Sequence, residues 1–358
     1  MIKWFYRSLI LCSLLLVCLP VSVWLTTFHP DTIQQEIVHC PPNTPALASG
    51  QPIKVYNQNV QFMAGKNYVF FYELPNNSGP DDRPSSEDIK LTGQRLAQFI
   101  RQQDPDIIIL QELDEGAKRT DHMNQLDTLL KQLPKSYACY SSSFYWKSSF
   151  VPHPRILGSV GLKLAVISKY KISSATRIQL ALVPQDPISQ QYNLKRALMD
   201  VRLPIKEQGE LAVLNTHLSA FPKGGNLLEK QVAQIDQYLA RLNQQPLPWI
   251  LAGDFNLLPT NAYTDLAEQQ RTFYNPHSEI KTLYQHYAAI PSLKTLQSNE
   301  REQWFSYFPN DPRINKPDRT LDYFFYDPSL TLINAELKHE KTLSLSDHLP
   351  LVARFNLP

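Results

Sequence analysis

Acidic, amide and imidazole side chains recur in this sequence directly beside short runs of apolar residues. The run Trp249–Ala252 leads into Asp254 and Asn256, which are one residue apart with Phe255 between them. Alternate residues of an extended chain point the same way, so these two polar side chains can face one pocket. A carboxylate on a buried strand is costly unless a charged or hydrogen-bonding group meets it. The segment therefore indicates a polar site that other parts of the chain must complete.

The same pattern occurs at other places along the chain. The polar positions there are Asn59, Glu112, Asn215, His217, Asp322, Asp347 and His348. Each of them, taken alone, is commonly a capping, loop or structural residue. Their repetition beside apolar runs favours one shared site, because ligand sites of layered α/β proteins gather at strand ends.

The residue types of this set point to one kind of chemistry. Oxygen ligands without thiolates suit a hard cation such as Mg²⁺ or Mn²⁺, which is commonly held by carboxylates, water and substrate phosphate. Histidines and amides suit the remaining oxygens of a phosphoryl group. The sequence has no Gly-X-Ser-X-Gly nucleophile motif. Water is therefore the expected nucleophile, oriented or deprotonated by a carboxylate.

Short apolar strands separated by helices are the elements that must position these residues. A helix is predicted after the N-cap Ser85, ending at Pro105, and helical spacing also covers Asp121–Leu133 and Leu227–Leu242. This alternation predicts an α/β layered domain. The predicted strands are Ile53–Phe62, Ile107–Leu110, Leu162–Ser168, Ala197–Leu203, Glu210–Leu214, Trp249–Ala252, Leu321–Tyr326 and Leu349–Phe355.

Six short motifs, in this order, resemble the endonuclease/exonuclease/phosphatase superfamily. They are NVQF at Asn59, LQELD at Glu112, NTHL at Asn215–His217, GDFN at Asp254–Asn256, LDYFF at Asp322 and SDHLP at Asp347–His348. The superfamily includes abasic-site endonucleases, deoxyribonucleases, neutral sphingomyelinases and inositol-polyphosphate phosphatases. The resemblance covers most of residues 53–358. It implies an α/β (α+β) fold, a four-layer sandwich of two packed β-sheets flanked by helices.

The resemblance also implies a metal site. Mg²⁺ (or Mn²⁺) would be held by Glu112, with Asn59 and Asp347 close by. Asn57 competes with Asn59 for this role, and the following VQF favours Asn59. Many members carry a tyrosine or another polar donor in the middle of the chain. The nearest stretch here, Arg155–Lys163, has no tyrosine and offers only its lysine as a candidate.

The remaining residues would act on water and phosphate. The resemblance implies that Asp254 activates the attacking water and that Asn256 fixes the position of this water. His348 would stabilise charge on the phosphate, with its imidazolium oriented by Asp322. His217 would add a second phosphate contact, both histidines serving as positively charged donors.

Composition narrows the class of protein further. The 358 residues are 43% hydrophobic and 19% charged, with a net charge of +2. Proteins that live on duplex nucleic acid usually carry a clearer basic excess. No Cys-X-X-Cys pair supports a thiolate zinc site. Cys40 and Cys139 either form a disulfide or remain two free thiols.

The N-terminus predicts a membrane attachment. Lys3 and Arg7 precede an apolar run from about residue 9 to residue 28, long enough to cross a bilayer. An uncleaved anchor is favoured over a signal segment for residues 1–28. The positive flank would then stay in the cytoplasm, which puts the catalytic domain outside it: periplasmic, extracellular or lumenal. The proline-bearing residues 29–52 read as a linker and residues 53–358 as one catalytic domain.

The motifs do not fix which phosphodiester is the substrate. A phospholipid is favoured, in a reaction like that of a sphingomyelinase or phospholipase C. The anchor would hold the enzyme at a bilayer, and the aromatic clusters Tyr68–Tyr72 and Phe144–Phe150 could enter the interface, although strand packing explains them equally well.

Two other functions remain open. An exported nuclease is the alternative within the class, and a non-catalytic binding protein that retains the fold is the less favoured alternative outside it. No protein partner is implied. A nuclease would need a basic groove, for which the candidates are Arg155, Lys163, Lys169, Lys171, Lys195 and Arg196.

Overall fold

A computed structural model describes residues 4, 6–7, 18–207, 209–220, 225–245, 247–339 and 341–358. The strands in these ranges are β1 (Ile33–Gln35), β2 (Val38–His39), β3 (Pro52–Asn59), β4 (Ile107–Asp114), β5 (Cys139–Val151), β6 (Gly158–Ser168), β7 (Ser174–Gln179), β8 (Ala197–Ile205), β9 (Gly209–His217), β10 (Trp249–Asp254), β11 (Ala288–Ile290), β12 (Asp322–Tyr326), β13 (Thr331–Leu337) and β14 (Leu351–Asn356). The α-helices are α1 (Ser86–Gln103), α2 (Gln125–Leu130), α3 (Pro187–Tyr192), α4 (Leu227–Leu242), α5 (Glu268–Arg271), α6 (Lys281–His286) and α7 (Leu293–Leu296), and residues 18–26 are also helical.

Within the described ranges the strands form two mixed seven-stranded sheets. Sheet I has the order β13-β14-β3-β4-β6-β5-β2, and sheet II has the order β1-β7-β8-β9-β10-β12-β11. The pairs β3–β4 and β9–β10 are parallel, and the other neighbouring pairs are antiparallel. The parallel pairs lie at the centre of each sheet, which brings their carboxyl ends to one edge.

The two sheets pack face to face, and helices cover their outer faces. In β4, Ile107 and Ile109 point into the core between the sheets, while Ile108 points outward and packs in the cluster that holds α1. Helix α4 covers sheet II through Val232 and Ile235. Strands buried on both faces read as continuous apolar runs, which is why the short runs were informative. The predicted four-layer sandwich is confirmed.

The helix that covers sheet I begins and ends where the sequence predicts. Ser85 is the N-cap of α1, and its hydroxyl accepts a hydrogen bond from the backbone N–H of Asp88 at 3.1 Å. The helix ends at Asp104, which has a left-handed backbone conformation directly before Pro105. The prediction of one helix over Asp121–Leu133 is wrong in extent: the α-helix there is Gln125–Leu130, capped by Asn124.

The segment predicted as a linker, residues 29–52, is part of the folded body instead. Strand β1 pairs with β7 in sheet II, and β2 pairs with β5 in sheet I. Leu47 is fully buried in the core between the sheets. The unpaired outer edges of β7 and β5 offer backbone partners that the sequence pattern alone does not reveal.

Half of the N-terminal segment predicted as an anchor, residues 1–3, 5 and 8–17, lies outside the described residues. Across the described part of the chain, no helix combines the length and the apolar character needed to cross a membrane. Thr27 makes a β-bridge with Ser148 of β5, and Ser148 also donates a hydrogen bond to the carbonyl of Thr26 at 2.9 Å.

A disulfide joins residues 29–52, the segment predicted as a linker, to sheet I. Of the two alternatives left open for Cys40 and Cys139, the structure has the disulfide, which spans a sequence separation of 99 residues. Cys139 is the first residue of β5 and is fully buried. The bond therefore fixes the segment between β2 and β3 to the edge of the sheet.

Candidate active site

Three of the predicted residues lie side by side on adjacent strands of sheet II. Asp254, the last residue of β10, lies opposite His217 on β9 and opposite Asp322 on β12. Gly253 precedes Asp254, and a Cβ atom there would lie 2.0 Å from the carbonyl oxygen of Thr216. Only glycine permits this close backbone approach, which sets the position of the following carboxylate.

Sheet I contributes Asn59 and Glu112 from the ends of its parallel strands β3 and β4. The pairing of β4 with β6 is interrupted between Leu110 and Leu113, and Glu112 has a φ of 59° in this bulge. A left-handed backbone at a non-glycine residue is strained, and bulges re-aim side chains beside active sites. The bulge turns Glu112 toward the cavity, where its carboxylate accepts a hydrogen bond from the Asn59 amide at 3.2 Å.

Buried amides hold the two sheets at a fixed spacing beneath the site. The Asn215 amide donates to the carbonyls of Leu110 and Ala165 in sheet I, at 2.9 and 3.0 Å. The Gln111 amide in turn donates to the side-chain oxygens of Asn215 and Asn57, at 2.8 and 2.9 Å. Asn215 and Gln111 therefore act as a clamp between the sheets, Asn57 orients Gln111 within sheet I, and Asn59 is the asparagine that reaches the site.

Asp254 is the centre of the hydrogen-bond network. One oxygen accepts from the Asn59 amide at 3.0 Å and lies 3.3 Å from His217 Nε2 and 3.4 Å from His348 Nε2. The other oxygen accepts the backbone N–H of Asn256 at 2.9 Å. Burial raises the pKa of Asp254 to about 6, against the lowering effect of the His348 charge. This carboxylate is therefore a proton acceptor poised near neutral pH.

His348 is held as an imidazolium between acids. Its Nδ1 lies 2.8 Å from Asp322 Oδ2, which also accepts a hydrogen bond from the Ser306 hydroxyl at 2.7 Å. Burial alone would lower the pKa of His348, but the carboxylates of Asp322 and Asp254 raise it well above the ordinary value. The ring of Tyr307 packs against the imidazole, with centroids 4.8 Å apart. The site thus contains a fixed positive charge.

His217 differs from the positively charged donor expected from the sequence. Burial, together with the charges of Arg196 and His348, lowers the pKa of His217 well below its ordinary value. The Tyr145 hydroxyl lies 3.3 Å from Nδ1 of the ring. A neutral imidazole that accepts from Tyr145 at Nδ1 carries its proton at Nε2, where it can donate to Asp254.

The predicted metal ligands divide into two kinds. Glu112 and Asp347 both line the cavity, and burial raises the pKa of each, that of Asp347 to about 6 with a contribution from Glu112. Two carboxylates that repel each other fit a hard divalent cation. Asn59 uses its oxygen to accept the backbone N–H of Gln61 at 3.0 Å, so it orients Glu112 and Asp254 more than it offers a ligand.

A second buried group could also hold a metal ion. Ligand atoms of Asp254, Asp322 and His348 all lie within 4.8 Å of one another. In this group the hydrogen bond from His348 Nδ1 to Asp322 already occupies one imidazole nitrogen. The chemistry of the donors therefore favours Glu112 and Asp347 for the cation and leaves the second group to proton transfer.

Arg196 brings an unpaired positive charge to the site. The residue is 8% exposed and lines the cavity, and its Nη1 is buried with no hydrogen-bond partner among the described residues. Its guanidinium lies over the ring of Tyr145, 5.0 Å from the centroid. A buried guanidinium without a carboxylate partner is costly, and its planar donors match the oxygens of a phosphate.

Three of the other residues proposed for a basic groove are paired with acids. Lys163 pairs with Glu115 at 2.6 Å, so it is not the missing polar donor of the site. Arg155 pairs with Asp82 at 2.5 Å, and Lys169 pairs with Asp104 at 2.7 Å. Of the six candidates, the cavity lining includes Arg155 and Arg196. Ion pairing therefore neutralises half of the charges proposed for a nucleic-acid groove.

The two aromatic clusters serve mainly as packing. Phe70 is 1% exposed and contacts Phe62, with ring centroids 5.0 Å apart, and Tyr68 and Tyr72 pack beside it. In the second cluster Tyr145 is buried, and Phe150 is 46% exposed. The clusters therefore add little apolar surface to the outside, apart from Phe150.

Several residues of the site were missed by the sequence interpretation. They are Gln61, Tyr145, Ser306 and Tyr307. Arg196 was predicted only as part of a basic groove. Tyr145 occupies an irregularity of β5, between the pairs Phe144–Lys163 and Trp146–Leu162. A bulge changes which face a side chain occupies, and no local sequence signal marks it. Ser306 and Tyr307 come from the long stretch before β12 that has no clear periodicity.

One large cavity joins these residues. It has a volume of about 1050 Å³ and reaches from Glu112, Asp254 and His348 past Arg196 to the apolar residues of β5 and β6. All eight predicted site residues lie at or beside its polar end. Asn256 contacts Asp254 through its backbone and through its amide at 3.4 Å. The site can therefore bind a cation, a phosphate and an attacking water side by side.

Comparisons with known proteins agree with this geometry. The model of the Endonuclease/Exonuclease/phosphatase family matches residues 59–348. A comparison with curated protein sequences finds no match. Among solved structures, an endonuclease/exonuclease/phosphatase from Beutenbergia cavernae is similar, with a TM-score of 0.57 and 20% identity over 86% of this chain and 72% of that one.

Two further structures share the fold. The human Nocturnin catalytic domain with bound sulfate anion has a TM-score of 0.53 and 20% identity, covering 89% of this chain and 97% of that one. An endonuclease/exonuclease/phosphatase from Bacteroides vulgatus has a TM-score of 0.50 and 17% identity, covering 86% and 100%. The family match spans most of the chain, from the first predicted motif to the last. The chain therefore belongs to the endonuclease/exonuclease/phosphatase family.

Proposed function

We propose that the protein is a divalent-metal-dependent phosphodiesterase that uses an activated water as nucleophile. Members of its family are hydrolases that act on phosphoester bonds. The observation that carries the proposal is Asp254, a buried carboxylate with a raised pKa that lies within 3.4 Å of both His217 and His348. Such a group accepts a proton near neutral pH, which is what a general base for water requires.

Asp254 takes the proton of the water. Its two oxygens are fixed by Asn59 and by the backbone of Asn256, and the residue lines the cavity. His217 donates its single Nε2 proton and is itself oriented by Tyr145. This arrangement holds the nucleophile in one orientation before the reaction begins, which lowers the entropic cost of attack.

Positive groups stabilise charge on the phosphate. The His348 imidazolium is oriented by Asp322, and the unpaired Arg196 guanidinium lies in the same cavity. Both are in place before substrate binds, so they need no reorganisation as charge develops. Glu112 and Asp347 would hold Mg²⁺ or Mn²⁺, which supplies a Lewis acid at a phosphoryl oxygen.

We favour a phospholipid as the phosphodiester. Much of the cavity wall is apolar, and three of the six basic residues that a nuclease would use are paired with acids. The proposal includes membrane attachment through the N-terminal segment, with the catalytic domain outside the cytoplasm. The apolar N-terminal run after Lys3 and Arg7 supports attachment. The Cys40–Cys139 disulfide supports an oxidising compartment.

A direct assay distinguishes a phospholipid substrate from a nucleic-acid substrate. The full chain is incubated with Mg²⁺ and either sphingomyelin vesicles or plasmid DNA, with and without a chelator. We expect release of phosphocholine that the chelator abolishes, and a Glu112→Gln variant that loses at least about 100-fold in rate at low Mg²⁺. Asp127→Asn, an exposed acid 54% accessible in its side chain, is the control and should be unchanged. Rapid nicking of plasmid with intact sphingomyelin would contradict the lipid preference.

A further inference from the structure

The active-site cavity continues beyond the reacting groups into a region that the hydrolysis itself does not use. We call this region the apolar arm. The apolar part of its wall is formed by Trp146, Leu157, Val160, Leu162, Val183 and Leu194, and polar side chains such as Lys118, Ser159 and Asn193 also line the cavity. A cleft that is mostly apolar beside a few convergent polar groups is typical of a small-molecule site.

Two segments of the chain build the walls of the apolar arm. One is the β5–β6 hairpin, in which Trp146 pairs with Leu162 and Ser148 pairs with Val160. The other is the segment 183–194, which includes α3. The indole nitrogen of Trp146 donates to the carbonyl of Tyr192 at 2.7 Å and ties the two walls together. The arm is therefore a preformed part of the fold.

The side chains of the arm suit a hydrocarbon better than a nucleobase. Five of its six residues are branched aliphatics, and the donor of the sixth, Trp146, is already engaged. Recognition of a base uses aromatic stacking and hydrogen bonds to the base edges. An alkyl chain needs only dry apolar surface, which gains free energy with each methylene buried.

Exposed apolar side chains continue the arm onto the outer surface. Leu157 is 52% exposed and Phe150 is 46% exposed on the hairpin, and Ile188 is 58% exposed on the opposite segment. Beside the hairpin, the residues that precede the Thr27–Ser148 bridge expose Trp24 at 61% and Leu25 at 76%. Several exposed apolar residues on neighbouring segments are typical of a surface that contacts a partner or a membrane.

We propose that the apolar arm binds an acyl chain of a membrane phospholipid whose phosphate lies at Asp254 and His348. The inference rests on the proposed function and specifies the substrate part that gives affinity. In the sequence, the apolar N-terminal run is followed by the helical residues 18–26, and the Thr27–Ser148 bridge lies next to these residues on the hairpin. The arm then receives the chain while the phosphate reaches the polar end.

Binding of alkylphosphonates tests this assignment without turnover. The full chain with Mg²⁺ is titrated calorimetrically with methyl-, butyl- and octylphosphonate, each below its micelle concentration. We expect the affinity to rise about two-fold per added methylene, because the arm buries each methylene only in part, so that octylphosphonate binds about 100-fold more tightly than methylphosphonate. Equal affinity for the methyl and octyl compounds would overturn the inference, as would competitive binding of adenosine monophosphate that exceeds that of octylphosphonate.

Paired variants show whether the gain in affinity with chain length arises in the apolar arm. Val183→Trp should fill the arm, abolish the gain with chain length and leave methylphosphonate binding unchanged. Ser189→Trp, at an exposed position of the same segment outside the cavity lining, is the control and should keep the gain. Leu157→Asn is a second test, because asparagine tolerates the φ of 37° at this position. This variant should weaken the binding of octylphosphonate and leave the binding of methylphosphonate unchanged. Unchanged octyl affinity in both arm variants would refute the assignment. Absence of phosphodiester hydrolysis with the chain-length gain intact would refute the proposed function and leave this inference supported.

Discussion

The ionisable residues of the site lie close together but differ in their protonation. Asp254 and Asp347 have raised pKa values of about 6, His217 is neutral, and His348 is charged. Neighbouring titratable groups whose environments push their pKa values apart are the pattern of acid and base roles. The two histidines look equivalent in the sequence, but the carboxylate of Asp322 contacts only one of them.

The charge pattern predicts the pH dependence of kcat/KM. Asp254 must lose its proton to act as base, so the rate should rise with pH through about 6. His348 must keep its proton, so the rate should fall only at a pH well above the ordinary histidine range. Asp322→Asn removes the carboxylate that raises the pKa of His348 and should shift this alkaline limb to lower pH. A profile of the variant with an unmoved alkaline limb would contradict the assigned pair.

Many of the helices and strands could be predicted from the sequence. Strands β4 and β10 are buried on both faces, so their apolar runs were visible, and the cap at Ser85 marked α1. The edge strands β1 and β2 are three and two residues long and depend on partners distant in sequence. The bulges that aim Glu112 and Tyr145 depend on the register between strands, which no local pattern encodes.

The hydrogen bonds of Asn215 between the two sheets make a measurable contribution to the stability of the protein. Asn215→Ala removes the hydrogen bonds that Asn215 donates to the carbonyls of Leu110 and Ala165, and it leaves the Gln111 amide with Asn57 as its remaining side-chain partner. We expect the free energy of unfolding to fall by about 3 kcal/mol, because buried polar groups lose their hydrogen bonds. Urea denaturation checks this value, with the exposed strand position Asn334→Ala as a control that should change it by less than about 0.5 kcal/mol. A loss equal to that of the control would mean that Asn215 does not link the sheets.

At the scale of the whole molecule, the site exists because two sheets meet at their strand ends. Sheet I provides Asn59 and Glu112, and sheet II provides His217, Asp254 and Asp322. Residues 346–348 before β14 close the site, where the Ser346 hydroxyl donates to the carbonyl of Asn59 at 2.8 Å. The order of the six motifs along the chain was enough to predict this convergence. The shape of the cavity depends on the β5–β6 hairpin and the segment 183–194, whose relation the sequence does not display.

The central claim is that water attacks a phosphodiester with Asp254 as its base. The most direct measurement is the rate of Mg²⁺-dependent phosphodiester hydrolysis by the full chain and by Asp254→Asn, a variant that keeps the size of the side chain. The account predicts hydrolysis by the wild-type chain and a loss of about 10³-fold in kcat in the variant, with unchanged thermal unfolding. A variant that hydrolyses the substrate at the wild-type rate would contradict it.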